Sequence, residues 1–206
     1  MVKRLVGTMA VGVFIVAGLE SHANAFSQPI GIKIIRIRMV ADACTWLTMV
    51  AKPYPASYVP LPGSDPSDLG GSLRVMINDR DLTFNLEGQR FDGFKGWMGL
   101  GIPPGCSGWR YRESDYHYII VVIRRNLIKV KADLGDGWSI NGAGFNTDLA
   151  MQLDAGNDSY CALAAPPYLK EIANNLLMTK HVKSPADCHG AEDGHLASDE
   201  FSYDLP

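Results

Sequence analysis

The sequence predicts an all-β protein, an antiparallel sandwich or barrel, with one short helix near its C-terminal end. Three observations support this fold class. Apolar and polar residues alternate with a period of two in many short segments. These segments are separated by turn residues, namely Gly, Pro, Asn and Asp. A single stretch has the spacing of a helix. An N-terminal leader and four cysteines add information about the destination of the chain.

The first 25 residues have the three parts of a secretory signal peptide. Lys3 and Arg4 precede an uncharged, mostly apolar run over Leu5–Leu19, and Ala23-Asn24-Ala25 is a small-x-small cleavage site. An uncleaved membrane anchor is the alternative, but the run is shorter than the roughly 18–20 residues that span a bilayer. We therefore predict cleavage after Ala25 and a periplasmic or secreted mature protein with no stable membrane insertion.

The mature chain has the length of one domain, which we place at residues 26–189. Residues 190–206 are acidic and lack an apolar pattern, which predicts a disordered tail. The formal net charge is -3, and the sequence contains no basic run of the kind that binds nucleic acid. We therefore expect an unknown envelope or extracellular partner and no nucleic acid.

The alternating segments predict strands along most of the chain. The strongest is Tyr116–Ile123, where an apolar run predicts a central strand covered on both faces. Residues 88–108 contain repeated glycines and predict a long structured loop, because the phosphate-binding glycine patterns lack their remaining residues here. Asn78-Asp79-Arg80-Asp81 has turn composition and predicts a hairpin between its flanking strands. The other predicted strands are Ile32–Val40, Thr45–Val50, Ser72–Ile77, Leu82–Leu86, Trp109–Arg112, Leu127–Ala132, Trp138–Ile140, Leu149–Leu153 and Tyr160–Ala164.

The single predicted helix follows two adjacent prolines near the C-terminal end. Its apolar residues recur at the spacing of one helical face. They are Leu169, Ile172, Ala173, Leu176 and Leu177.

The four cysteines, Cys44, Cys106, Cys161 and Cys188, give an even count in an exported chain. This count predicts two disulfides with three possible connectivities. Free, buried cysteines are the alternative. There is no Cys-x-x-Cys pattern, and the histidines near the C-terminal end fall in or beside the predicted tail, so we predict no metal site.

Several short motifs stand in a fixed order between Gly31 and Cys188. They are Gly63-Ser64-Asp65-Pro66, Gly70-Gly71-Ser72-Leu73-Arg74-Val75, Gly101–Glu113, Asn126–Lys131, Tyr160-Cys161-Ala162 and Ser184–Cys188. In this order they resemble a β-rich module of unknown function in exported proteins of delta- and related proteobacteria. The resemblance implies an all-β fold and a Cys161–Cys188 disulfide, which leaves Cys44–Cys106 as the second link. It implies no activity and no catalytic residues.

The sequence contains no recognisable pattern for a catalytic nucleophile, a phosphate loop, haem or zinc, so we predict no cofactor and no intrinsic catalysis. We expect an exported, non-catalytic β-domain with a binding or structural role. Recognition commonly lies on loops of a rigid scaffold, and we place a ligand-binding surface at Phe94, Trp97, Trp109 and Tyr111. On this hypothesis Trp97→Ala leaves the fold largely intact. A carbohydrate- or small-ligand-binding domain and an exported hydrolase with an unrecognised site are the two alternatives.

Overall fold

In the computed structural model, two β-sheets face each other across a shared apolar core. The structure describes residues 27–40, 44–52, 58–77, 80–114, 118–135, 149–164, 170–173 and 176–182. The predicted signal peptide, the predicted Trp138–Ile140 strand and the predicted tail lie outside these residues. The predicted all-β fold is confirmed in the form of an antiparallel sandwich.

Within the described residues the chain forms thirteen strands and one short helix. The helix, α1, spans Pro66–Leu69 and lies between the third and fourth strands. The strands are β1 (Ser27–Pro29), β2 (Gly31–Val40), β3 (Cys44–Lys52), β4 (Gly71–Ile77), β5 (Arg80–Leu86), β6 (Lys95–Leu100), β7 (Gly108–Glu113), β8 (Ile119–Arg124), β9 (Leu127–Asp133), β10 (Leu149–Ala155), β11 (Asp158–Ala164), β12 (Lys170–Ala173) and β13 (Leu176–Val182).

The smaller sheet has five strands in the order β1-β11-β10-β4-β5. Its neighbours are antiparallel except for β1, which runs parallel to β11. The β4–β5 pair confirms the hairpin predicted around Asn78-Asp79-Arg80-Asp81. This sheet supplies Leu73, Val75 and Leu153 to the core, all completely buried.

The larger sheet has eight strands in the order β12-β13-β2-β3-β9-β8-β7-β6, and all neighbours are antiparallel. In β8, Ile119, Val121 and Ile123 are buried in the core, whereas Ile120 and Val122 on the outer face are partly exposed. The prediction that this strand is covered on both faces is therefore wrong. Long cationic side chains on the neighbouring strands can shield the outer apolar residues with their aliphatic stems, so no second layer is needed there.

The predicted C-terminal helix is wrong, because its residues form β12 and β13. Leu177 pairs with Ile37 of β2, and Thr179 pairs with Ile35. A short apolar segment can satisfy the spacing of a helix or of a strand, and β13 covers an edge of β2 that would otherwise be unpaired. The helix that does form, α1, begins where the Asp65 carboxylate accepts a hydrogen bond from the backbone N–H of Ser67 at 2.8 Å.

The glycine-rich stretch predicted as a loop contains β6, the last strand of the larger sheet. Gly96 has a φ of +123°, and a Cβ at this position would lie 2.8 Å from the Arg90 carbonyl carbon. Only glycine therefore lets the preceding segment approach the strand so closely. The backbone N–H of Trp97 donates to the Gln89 carbonyl at 2.8 Å, and the Phe91 N–H donates to the Trp97 carbonyl at 2.8 Å. These glycines reflect close backbone packing.

The predicted Cys44–Cys106 disulfide is wrong, because Cys106 is a free, exposed thiol. Cys44 begins β3, whereas Cys106 lies between β6 and β7. Three or more strand spacings of about 4.8 Å separate them, which exceeds the roughly 7 Å that a disulfide can bridge between Cα atoms. Cys161 is completely buried and is disulfide-bonded, but its partner is not among the described side chains. No disulfide joins two of the side chains that the structure describes, and Cys188 lies outside them, so Cys161–Cys188 remains a prediction.

Candidate functional site

The four aromatic residues predicted to bind a ligand do not share one surface. Trp97, Trp109 and Tyr111 are 1%, 8% and 0% exposed, and only Phe94, at 62%, faces solvent. Trp97 and Tyr111 form an edge-to-face pair with ring centres 5.2 Å apart, and the Trp97 indole N–H donates to the Leu86 carbonyl at 3.4 Å. The predicted aromatic platform is corrected accordingly: inner-facing positions of β6 and β7 bury three of its four rings in the core.

A polar cluster lies beside the buried ring of Tyr111. The Tyr111 hydroxyl donates to Glu113 Oε2 at 2.9 Å, and Lys95 Nζ lies 3.6 Å from the same oxygen and 2.8 Å from Glu87 Oε1. Burial, together with the Glu113 carboxylate, raises the pKa of Tyr111 well above its usual range. The hydrogen bond with Glu87 raises the pKa of Lys95. At neutral pH the cluster therefore holds a neutral phenol and an ammonium group between two carboxyl groups.

Glu87, Lys95 and Glu113 of this cluster line a cavity of about 350 Å³ beside β5, an edge strand of the smaller sheet. Leu82, Phe84 and other apolar side chains line the rest of it. An acid–base pair for hydrolysis needs a carboxyl group that can exchange a proton with a substrate. Here Lys95 engages both Glu87 and Glu113. We interpret the cluster as a structural ion pair network that closes this side of the sandwich.

The outer face of the larger sheet carries the main concentration of charge. Seven Lys and Arg side chains from four strands are half-buried or exposed there, and among the described residues none forms an ion pair with an acidic side chain. We call this surface the cationic face. The seven cations are Arg36 and Arg38 of β2, Lys129 and Lys131 of β9, Arg124 of β8, and Arg110 and Arg112 of β7.

The strand register places these cations in rows across the sheet. In two adjacent rows the positive charges fall on β9 and β7, and in one of these rows also on β2, with uncharged residues at the other positions. Neighbouring cationic strands are thus two spacings apart, about 9.6 Å, which reduces their direct repulsion while their fields still add. The rows are Arg36-Thr48-Lys131-Ile120-Arg112 and Ile34-Val50-Lys129-Val122-Arg110.

Between β7 and β9 the cationic face forms a groove of about 340 Å³. Ile120 and Val122, on the strand between them, form the apolar floor of the groove. Arg110 lines one wall, and Lys129 and Lys131 line the other. The groove therefore combines an apolar floor with positive charge on both sides.

Two further features bear on the charge of this face. Lys131 Nζ lies 5.0 Å from the ring centre of Tyr118 and 5.4 Å from that of Trp46, close enough for cation–π attraction to position it. Arg112 Nε is buried and has no hydrogen-bond partner among the described residues. A buried N–H without a partner costs free energy, so an acceptor bound at this face would relieve that cost.

The cationic face is a feature that the sequence analysis missed. Its cations lie far apart in the sequence and form no basic run. A signal was present, because Arg36 and Arg38, Arg110 and Arg112, and Lys129 and Lys131 each alternate with core residues, a pattern typical of the outer face of a strand. Only the strand order brings the three pairs onto one surface.

Neither a membrane-spanning helix nor a metal-binding cluster occurs among the described residues. None of their helices has the length and apolar character needed to cross a bilayer. They also contain no group of three or more His, Cys, Asp or Glu side chains that could bind a metal ion together.

Comparison with protein-family models, with curated proteins and with solved structures finds no match to this chain. The resemblance to the exported β-rich module is therefore still a prediction.

Proposed function

We propose that the protein is an exported, non-catalytic binding module whose cationic face holds an anionic ligand. The observation that carries this proposal is the convergence of seven Lys and Arg side chains with no ionic partner among the described residues. The whole chain has a net charge of -3, so positive charge is concentrated on one side of a slightly acidic protein. Such a field attracts and orients anionic ligands.

The smaller sheet differs in that its outer charged groups have partners. The Asp154 carboxylate accepts hydrogen bonds from the hydroxyls of Ser72 at 2.6 Å and Ser159 at 2.7 Å. Arg74 pairs with Asp81, with two of its nitrogens donating to the carboxylate. These charged groups already have partners within the fold. The larger sheet is therefore the surface whose cations can bind an external anion.

Arginines of the cationic face suit phosphate, sulfate or carboxylate groups, because a guanidinium can donate two parallel hydrogen bonds to them. Ile120 and Val122 add apolar contact at the floor of the groove. This combination suits a ligand with repeated negative charges and some apolar surface between them. The exported location and the partner itself are parts of the proposal.

Dextran sulfate is a suitable soluble probe for this face. Reversing one charge, as Lys129→Glu or Arg110→Glu, should weaken binding of the mature protein about thirtyfold at low salt, because the change removes one attraction and adds one repulsion, each on the order of 1 kcal/mol near a surface. Added salt should weaken the wild type more than either variant. Titration calorimetry at several salt concentrations measures both effects.

Arg80→Glu is the matched control, because it makes the same change in net charge on β5 of the smaller sheet. Its affinity for dextran sulfate should stay close to that of the wild type. Equal losses in all three variants would mean that only net charge matters. That result, or a wild-type protein that does not bind, would contradict the proposal.

A further inference from the structure

Exposed apolar side chains are concentrated along the margin of the larger sheet. Phe94 precedes β6, Met98 lies within it and Ile102 follows it, and they are 62%, 41% and 96% exposed. The described residues contain five large apolar side chains with such exposure, and three of them lie in this one segment. Exposed apolar residues that cluster beside polar ones mark surfaces that contact a protein or a membrane.

These three side chains form what we call the apolar ridge, which runs directly beside the cationic face. At about 3.3 Å per residue, β6 (Lys95–Leu100) extends roughly 17 Å, and Phe94 and Ile102 lie in the bends at its two ends. Met98 pairs with Arg110 of β7 across the sheet, and Gly96 pairs with Arg112. A line of apolar side chains is thus flanked on its inner side by a line of guanidinium groups.

Hydrogen bonds hold both ends of the apolar ridge in place. The backbone N–H of Phe94 donates to Asp92 Oδ1 at 2.9 Å, and its carbonyl accepts from the Ser114 hydroxyl at 3.2 Å. The loop that carries Ile102 is closed by the Ser107 N–H, which donates to the Leu100 carbonyl at 2.9 Å. The two ends are therefore presented to solvent by ordered backbone.

We propose that the apolar ridge and the cationic face together dock the protein on the surface of a membrane that contains anionic lipids. This rests on the proposed function and names lipid head groups as the source of the anionic groups. Apolar side chains at a membrane surface enter the boundary between head groups and acyl chains, and neighbouring Lys and Arg side chains are attracted to anionic lipids. Such docking is peripheral and agrees with the prediction that the mature protein has no stable membrane insertion.

The shape of the surface favours a membrane over a soluble polyanion or a protein partner. A soluble polyanion would bind the cations, but contact with the exposed side chains of Ile102 and Phe94 would add no affinity for it. Protein interfaces centre on anchors that fill pockets, whereas these residues project from the margin of the sheet. A bilayer boundary accepts a line of apolar side chains and places head groups beside it.

Co-sedimentation with vesicles tests the inference. The mature protein should bind vesicles of equal parts phosphatidylcholine and phosphatidylglycerol and should bind phosphatidylcholine vesicles far more weakly. Phe94→Ser and Ile102→Ser should each weaken binding to the anionic vesicles about tenfold, since each removes apolar area that the membrane would cover. Leu69→Ser is the matched control, because Leu69 is 58% exposed but lies on α1, and it should bind as the wild type does.

Dextran sulfate separates this inference from the proposed function. Phe94→Ser and Ile102→Ser should bind dextran sulfate with wild-type affinity, because they leave the cations in place. If these variants also bound anionic vesicles as tightly as the wild type, anion binding would stand and membrane docking would be refuted. If the wild type bound neither probe, both proposals would fail.

A tryptophan at position 94 provides a second readout that does not depend on affinity. In Phe94→Trp the new indole should shift its emission to shorter wavelength when anionic vesicles are added, and brominated lipid should quench it. Trp97 and Trp109 are buried in the core and should contribute little to the change. The wild-type protein, in which Trp46 and Trp138 also emit, gives the background signal to be subtracted. An unshifted, unquenched signal from vesicle-bound protein would overturn the inference.

Discussion

Trp97 illustrates how the position of a residue along a strand decides whether its aromatic side chain faces solvent or packs in the core. Along β6 the side chains alternate, so Trp97 points between the sheets and Met98 points outward. Inside, Trp97 contacts Tyr111 and donates to the Leu86 carbonyl. Phe94 is therefore the one predicted ligand residue of the four that remains available to a partner.

Trp97→Ala should lower the free energy of unfolding by about 3–5 kcal/mol, because it leaves a large cavity in the core. This outcome reverses the expectation from sequence that the fold would tolerate the change. Urea denaturation measures it, with Phe94→Ala as the control at an exposed site, where the change should stay within about 0.5 kcal/mol. A loss at Trp97 no larger than that at Phe94 would show that the ring is not part of the core.

The β6–β7 hairpin is the element on which both proposed binding surfaces depend. It carries the apolar ridge along β6 and the bends at its two ends, and Arg110 and Arg112 on β7. Gly108 begins β7 with a φ of +123°, and a Cβ there would collide with the Ile123 carbonyl oxygen of β8. The glycine thus allows the hairpin to lie against its neighbouring strand in this register.

Gly108→Ala should destabilise the protein by about 3 kcal/mol or more, through backbone strain combined with the collision. Gly93→Ala is the matched control: its φ is +112°, but nothing lies within 4 Å of the position of its Cβ. Gly93→Ala should lower the free energy of unfolding only through backbone strain, by about 1–2 kcal/mol. Equal losses of unfolding free energy in the two variants would contradict the close approach of Gly108 to β8.

The sandwich as a whole buries two tyrosines whose ionisation the fold opposes. Tyr160 is completely buried and its hydroxyl donates to the Pro60 carbonyl at 2.9 Å. Burial raises its pKa, and the Asp158 carboxylate raises it further. Burial and Glu113 raise the pKa of Tyr111 in the same way. The native state therefore keeps both phenols protonated at pH values where the unfolded chain loses those protons.

The sign of the pH effect follows from these raised pKa values. Below pH 10, which is about the pKa of a tyrosine in the unfolded chain, both states keep the phenols protonated and the full stability is retained. Above it, the free energy of unfolding should fall by up to about 1.4 kcal/mol per pH unit for each tyrosine, because the unfolded state binds fewer protons than the native state. Tyr160→Phe should flatten this alkaline decline, while costing about 1 kcal/mol at neutral pH through the lost hydrogen bond. Denaturation at several alkaline pH values measures the slope, and an unchanged slope would contradict the role of Tyr160.

The sequence predicted most of the strands because alternation is a local property of the chain. Ser72–Ile77 and Leu82–Leu86, with a turn composition between them, match the observed β4–β5 hairpin closely. The segment around Leu177 was assigned wrongly, since its spacing fits a helix as well as a strand. Its pairing with Ile37 of β2, a residue distant in the sequence, decided between the two.

The sequence by itself determined that this chain is built of short strands and where most of them lie, because side-chain alternation and turn residues act over a few positions. Only the tertiary structure decided which strands are neighbours and which face of each is covered. That choice buried Trp97, left Phe94 exposed, and brought Arg110 and Lys129 to the two walls of one groove. Strand order depends on contacts between residues far apart in the chain, and for this reason the cationic face could not be predicted from composition or spacing.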